Sequence, residues 1–266
     1  DNLVTGKRHN LDHVNGVEFV EGDLADPPVA AQAVRDIEYV VHAATIPSVP
    51  RSVRDPVASH RANVDATLNV LIAARDAGVT RVVYAGSSSA YGDSPTLPKR
   101  ETMSPAPLSP YALQKLIGEH YARLFTTLYG LDTVTVRYFN VFGPRQDPSS
   151  PYSGVISQFV SALLAGRRPT IYGDGEQTRD FTYVANVVDG TLKACAALQV
   201  GGRVINVACG GRISLKQLLA TVCDLTGVAV EPIYADPRPG DVRDSQADIT
   251  LARALLGYEP VATFRE

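Results

Sequence analysis

Apolar positions fall in short dense blocks separated by longer stretches of helical period. Tyr39-Val40-Val41-His42-Ala43-Ala44, Arg81-Val82-Val83-Tyr84-Ala85-Gly86, Thr133-Val134-Thr135-Val136-Arg137-Tyr138 and Val204-Ile205-Asn206-Val207 read as strands, the first of them apolar on both faces. Strands of that kind suit a parallel sheet covered by helices on both sides. Val17–Val20, before the turn-rich Glu21-Gly22-Asp23-Leu24-Ala25-Asp26, reads as another strand, and 230–234 as extended. Helical stretches lie between. They run from Pro27 toward Arg35, Asn63 to Ala77, Tyr111 to Tyr129, Val155 to Ala165 and Val184 to Leu198, with a last one capped by Ser214 and reaching about Thr226. Gly78 and Gly130 are the expected C-terminal stops.

This alternation predicts βαβ units and a doubly wound α/β sheet of Rossmann-like form. Right-handed crossovers place strand C-termini along one edge, where ligands of open α/β sheets bind. The strand exits Asp23, Ala43-Ala44-Thr45, Ser87-Ser88 and Asn140 are expected there. After Asn140 the pattern loosens into loops and shorter elements. The expected division is a sheet domain of 1–142 with 179–207, interleaved with a smaller α/β substrate lobe of 143–178 with 208–266.

Composition narrows the function classes. A chain of 266 residues has room for one large domain or two coupled ones. Its net charge of −3 gives no electrostatic reason to expect a nucleic acid or an anionic membrane as partner. The three cysteines, Cys195, Cys209 and Cys223, have no C-x-x-C spacing and no histidine cluster nearby, so reduced thiols of a cytoplasmic protein are expected, and no metal site. No apolar run approaches the ~20 residues of a membrane span.

Ser109-Pro110-Tyr111-Ala112-Leu113-Gln114-Lys115 carries the chemistry. Pro110 suits a first helical turn. Tyr111 and Lys115 are then i and i+4 neighbours on one helical face. A lysine ammonium beside a phenol is expected to lower the tyrosine pKa and prepare it as a proton acceptor.

Nine segments in order carry a family resemblance: Asp1-Asn2-Leu3, Gly22-Asp23-Leu24, His42-Ala43-Ala44, Asn63, Ser87-Ser88-Ser89-Ala90-Tyr91-Gly92, Tyr111-x-x-x-Lys115, Arg137-Tyr138-Phe139-Asn140-Val141-Phe142-Gly143-Pro144, Arg179-Asp180-Phe181 and Arg238-Pro239-Gly240-Asp241. On these the chain resembles the extended short-chain dehydrogenase/reductases, specifically nucleotide-sugar epimerases, over nearly its whole length. The resemblance implies NAD as cofactor and C4 epimerisation of a UDP-sugar through a transient 4-keto sugar. Tyr111, Lys115 and Ser87, with Ser88 as the second hydroxyl candidate, would be catalytic. Asp1, Asn2, Asp23, Leu24, Ala43, Ala44, Thr45, Asn63 and Tyr138 would join Ser87, Tyr111 and Lys115 around NAD. Ser48, Ser88, Asn140, Val155, Tyr172, Arg179, Arg238, Asp241 and Ser245 would hold the sugar nucleotide. Ser245 stands where relatives restricted to UDP-glucose and UDP-galactose tend to carry tyrosine, so the resemblance is strongest to epimerases of UDP-N-acetylglucosamine.

The resemblance also implies a homodimer through a four-helix bundle of the Asn63–Ala77 and Tyr111–Tyr129 helices, with Leu116, Tyr121, Leu124 and Phe125 as candidate contacts. The family's G-x-x-G-x-x-G loop belongs ahead of Asp1, and residues 1–266 by themselves are expected to hold NAD weakly. Sugar 4,6-dehydratases and UDP-glucuronate decarboxylases want acidic residues where Ser88 and Ser89 stand, which disfavours both. UDP-glucuronate 4-epimerase and UDP-glucose 4-epimerase remain open, and a non-catalytic NAD or sugar-nucleotide binder is the third class.

Overall fold

The computed structural model describes residues 1–147, 154–237 and 242–266. They form two compact units, one of 1–90, 107–137 and 194–205, the other of 91–106, 138–193 and 206–266.

The first unit is built on a sheet whose strands run in the order Tyr39–His42, Arg81–Ser87, Thr133–Tyr138, Arg203–Val207, the last two leading on into the second unit. The first two are parallel, in register from Tyr39 opposite Arg81 to His42 opposite Tyr84. Arg81–Gly86 is buried throughout, and Ser87 emerges at its end. Val34, Leu71, Ala74, Val79, Val82, Phe125 and Leu131 make the core. Tyr39–His42 departs from the expected two-sided burial. It ends the strand order, and Tyr39 and Val41 are exposed on one face while His42 is buried on the other. Val17–Val20 is not a strand. A strand is defined by a ladder, and this segment instead bonds with Asp1, whose N-terminal amine donates to the Val20 carbonyl while Gly22 N–H donates to the Asp1 carbonyl.

The long helix of the Tyr111–Lys115 pair spans Pro110–Tyr129. Ser109 Oγ accepts from Ala112 N–H at its start, and Gly130, at φ 73°, ends it in the left-handed region that favours glycine. Gly118 allows its close approach to the sheet, since a Cβ there would fall 2.3 Å from the Tyr84 hydroxyl oxygen. Leu116 and Phe125, expected at a dimer surface, are buried in the unit, and Tyr121 packs on its core. Leu124 remains exposed.

Two short helices, Val49–Arg54 and Pro56–His60, fill a segment without apolar periodicity. Their signal is in the caps: Ser48 Oγ accepts from Arg51 N–H, Asp55 from Ala58 N–H, and each helix has proline in its first turn. The expected Asn63 helix begins as a π turn, Arg61–Asp65, and becomes α only over Ala66–Asp76.

The second unit has three two-stranded pieces. Thr170–Tyr172 pairs parallel with Ile233–Ala235, Val141–Phe142 parallel with Thr182–Tyr183, and Thr178–Arg179 antiparallel with Ile213–Ser214. Helices Val155–Leu164 and Leu215–Thr226 pack through Phe159, Leu163, Ile171, Phe181, Leu218 and Leu219. Ser214 and Gln217 close a capping box on the second helix.

Candidate active site

Tyr111 and Lys115 lie one turn apart in the first unit, and Ser87, at the end of the Arg81–Ser87 strand, stands close enough to the Tyr111 hydroxyl to act on its pKa. Ser87 Oγ also meets Ser89 Oγ at 2.8 Å and accepts from Ser89 N–H at 3.2 Å. Between Ser87 and Ser88, the structure therefore favours Ser87 as the hydroxyl beside the phenol. Lys115 is buried. Its Nζ donates to the Ala85 carbonyl at 2.8 Å and stands 5.1 Å from the Tyr84 ring centroid.

The electrostatics differ from the sequence expectation. Burial raises the Tyr111 pKa, and the Ser87 hydrogen bond opposes that rise. The lysine is the group that yields, pushed by burial down to about 7. The protein interior disfavours either charge, and no ion pair with a carboxylate restores the ammonium among the described residues. His42, buried and facing Lys115, is held neutral with a pKa near 3, and its Nε2 lies 2.9 Å from Thr67 Oγ1.

A pH dependence follows. Between about pH 7 and the ordinary lysine value, the unfolded chain carries a proton on residue 115 that the folded chain lacks, so stability rises with pH across that window. The free energy of unfolding is expected to increase from pH 7 to 9, by up to about 1.4 kcal/mol per pH unit, and the denaturation midpoint to rise with it. Lys115→Met is expected to flatten that rise. Equal slopes in the two proteins would refute it.

Several of the residues expected to contact NAD lie in the same unit. Asn63, buried in the π turn, accepts at Oδ1 from Thr45 Oγ1 at 2.8 Å and Ile46 N–H at 2.7 Å. Ala43 and Ala44 are exposed, so packing does not impose their small size. Asp1 bonds through its backbone to Val20 and Gly22, which sets it beside the segment leading to Asp23. The Asp1 carboxylate accepts from Leu3 N–H at 2.6 Å, and a Cβ on Gly6 would fall 2.7 Å from it, so the chain passes close by this carboxylate. Asp23 accepts from Ala25 N–H and faces Arg61 at 3.8 Å, Leu24 offers its carbonyl to Asn69, and Asn2 accepts from Val4 N–H in the same turn. These features fit a dinucleotide. A cradled carboxylate suits ribose hydroxyls, and an ammonium with three donors, one used on Ala85, has capacity for more. Ser48 is different: it is buried and its hydroxyl caps a helix, so its expected hexose contact competes with that cap.

The other expected residues belong to the second unit. Tyr138 OH meets Thr191 Oγ1 at 2.7 Å. Asn140 takes a left-handed φ of 33° and donates to the Asp180 carbonyl at 3.2 Å. A non-glycine residue held there is the kind of local strain that clusters at functional sites. Arg179 Nη1 donates to the carbonyls of Thr178 and Arg243, both at 2.9 Å. Ser245 is buried and donates its N–H to the Thr178 carbonyl. Tyr172 is half-buried at the end of its strand, and Val155 packs on the core at the first turn of its helix. Arg238 and Asp241 lie outside the described residues.

Sequence reasoning missed Asp180. Its buried carboxylate accepts from the N–H groups of Cys209, Gly210 and Ala247, at 3.1, 2.9 and 3.0 Å. Burial raises its pKa to about 6. It also missed Ser52, Ser59 and Gln114, whose only trace is the seven-residue spacing of the two serines. Among the described residues no group of three His, Cys, Asp or Glu is placed to hold a metal ion, and no helix is long and apolar enough to cross a membrane.

Residues 1–208 match the NAD dependent epimerase/dehydratase family. The chain belongs to that family. As an epimerase/dehydratase family member it is an NAD-dependent enzyme with a Rossmann-like fold. It is 39% identical to a UDP-glucose 4-epimerase of Mycolicibacterium smegmatis, over all of this chain and 86% of the relative. Among solved structures it resembles the UDP-N-acetylglucosamine 4-epimerase of Methanobrevibacter ruminantium in complex with UDP-N-acetylmuramic acid, with TM-score 0.93 and 39% identity over 98% of this chain and 83% of that one. It also resembles the UDP-glucose 4-epimerase of Thermotoga maritima with UDP-glucose, with TM-score 0.95 and 36% identity over all of this chain and 86% of that one.

Proposed function

We propose that this enzyme epimerises a UDP-hexose at C4, interconverting UDP-N-acetylglucosamine and UDP-N-acetylgalactosamine, with UDP-glucose and UDP-galactose as further substrates. The observation that carries the reading is Tyr111 one helical turn from buried Lys115, with Ser87 beside its hydroxyl at the end of the Arg81–Ser87 strand. Tyr111 takes the proton of the sugar 4-hydroxyl and later returns it. Ser87 fixes the direction of the phenol O–H, and Lys115 holds the nicotinamide ribose while its charge stabilises developing phenolate. Bound NAD would supply the hydride acceptor and donor for C4 of the sugar.

Asp1, Asn2, Asp23, Leu24, Ala43, Ala44, Thr45, Asn63 and Tyr138 are assigned to NAD. Asn140, Arg179 and Arg238 are assigned to the pyrophosphate, Tyr172 and Asp241 to the uridine, Ser48 to the hexose, and Val155 and Ser88 to the sugar nucleotide without a finer role. The sheet domain of 1–142 with 179–207 is read as the NAD side and the rest as the sugar-nucleotide side. Ser88 and Ser89 in place of carboxylic acids support epimerisation over dehydration or decarboxylation, and Ser89 Oγ is engaged with Ser87.

Incubation with NAD and a panel of UDP-sugars, read as C4 stereochemistry by NMR, tests this function. Turnover of UDP-N-acetylglucosamine is expected, and its loss in Ser245→Tyr with UDP-glucose turnover spared. Exclusive turnover of UDP-glucuronate would overturn the substrate assignment.

A cytoplasmic homodimer is part of the same reading. Free thiols support the compartment. Exposed Leu113, Leu124 and Leu128 on the long helix, with Ile72 on the Ala66–Asp76 helix, support a helical interface. A solution mass of one chain would refute the dimer.

A further inference from the structure

The long helix is tied to its surroundings at the turn that carries the reactive pair. Ser52 Oγ accepts from the backbone N–H of Tyr111 at 3.0 Å and donates to the Val49 carbonyl at 2.7 Å. Gln114 Oε1 accepts from Ser59 Oγ at 2.7 Å and from Asn63 Nδ2 at 2.9 Å. Ser52, Ser59, Asn63 and Gln114 are all buried, at 0, 1, 1 and 4% exposure, so water is poorly placed to substitute for a lost partner.

The direction of these bonds matters more than their number. An asparagine amide has a donor end and an acceptor end that differ little in shape, and its neighbours decide which way it faces. The Gln114 oxygen holds the Asn63 nitrogen toward the helix. That leaves Asn63 Oδ1 facing Thr45 Oγ1 and Ile46 N–H. Gln114 is also three residues from Tyr111 and adjacent to Lys115, so a bond that fixes its rotation about the helix axis fixes theirs.

We propose that Gln114 is a positioning residue: through Ser59 and Asn63 it locks the Tyr111–Lys115 turn to the Thr45–Ile46 loop, so that proton relay and cofactor loop are held in one register. This rests on the assignment of Tyr111 as the proton relay. Gln114 touches neither substrate nor cofactor in this account. It acts through the amide of Asn63.

Gln114→Leu removes the acceptor at nearly constant volume, and Gln114→Glu keeps a carboxyl oxygen in its place. Gln114→Leu is expected to lower kcat about tenfold with KM for the UDP-sugar within twofold. It is also expected to speed hydrogen exchange of the Ile46 amide at least tenfold while the Val82 amide, bonded to the Asp132 carbonyl in the sheet, keeps its rate. Gln114→Glu should restore both to within threefold. Parallel loss of protection at Ile46 and Val82, or wild-type kcat in Gln114→Leu, would overturn the proposal. If Gln114→Leu does not fold, Ser59→Ala decides, with a loss of kcat of at least threefold expected and an unchanged kcat overturning it. Tyr111→Phe measured alongside separates the two levels. Retained activity there removes the catalytic assignment and this proposal with it, whereas inactive Tyr111→Phe beside fully active Gln114→Leu removes the positioning role alone.

Discussion

Tyr111→Phe is expected to reduce kcat by about 10³-fold, within the span of general acid–base contributions. The substitution deletes one oxygen from a half-buried ring and leaves its packing in place. Ser87 keeps Ser89 as a partner, so the strand end retains its hydrogen bonds. KM for the UDP-sugar should stay within a few-fold, because Tyr111 acts on the proton in flight more than on the bound sugar. Steady-state kinetics with circular dichroism as the folding control checks this. A loss of less than tenfold would shift the proton-transfer role to another group, with Ser87 the first to test.

The second large effect is on stability. Glu119 and Arg137 form a buried, two-pronged ion pair, with Nε to Oε2 at 2.9 Å and Nη2 to Oε1 at 2.5 Å. Glu119 lies on the Pro110–Tyr129 helix and Arg137 near the end of the Thr133–Tyr138 strand, so the pair pins that helix to the sheet. Glu119→Ala leaves a guanidinium buried without its carboxylate, which costs about 3–5 kcal/mol. Denaturant unfolding should show that loss. The double variant Glu119→Ala with Arg137→Met is expected to recover much of it, because replacing both charges by apolar groups removes the desolvation penalty together with the attraction. Equal destabilisation in single and double variants would mean that the lost side-chain volume, and not the orphaned charge, sets the cost.

What the sequence made legible was local. Tyr111 and Lys115 share a face because helix geometry puts i and i+4 together, and Ser87 ends a strand whose apolar run is visible letter by letter. The stop of the Pro110–Tyr129 helix and the cap of the Leu215–Thr226 helix were equally readable, because Gly130 and Ser214 act on residues a few positions away. Gln114 was not, because its partners Ser59 and Asn63 lie 55 and 51 residues distant and no periodicity announces them. The direction of the electrostatics was also out of reach. Spacing alone gave Lys115 a full charge with which to lower the Tyr111 pKa, but the desolvation that weakens that charge depends on burial under a folded sheet. Val17–Val20 has the composition of a strand, yet it spends its bonds on Asp1. Composition proposes a strand, and only a neighbouring ladder makes one.

The π turn at Arg61–Asp65 separates two demands that one regular helix would set against each other. Ala66 N–H reaches back five residues to the Arg61 carbonyl, so the turn holds one residue more than its α counterpart. One added residue advances the winding by roughly 100°, the rotation per residue of an α-helix. Upstream of it Ser59, and within it Asn63, aim their polar groups at Gln114, and downstream Leu71 and Ala74 enter the apolar core. The inserted residue works as a phase shifter between a polar register and an apolar one. Shortening the turn by a single residue would leave every side chain in place along the chain and turn one of the two faces away from its target.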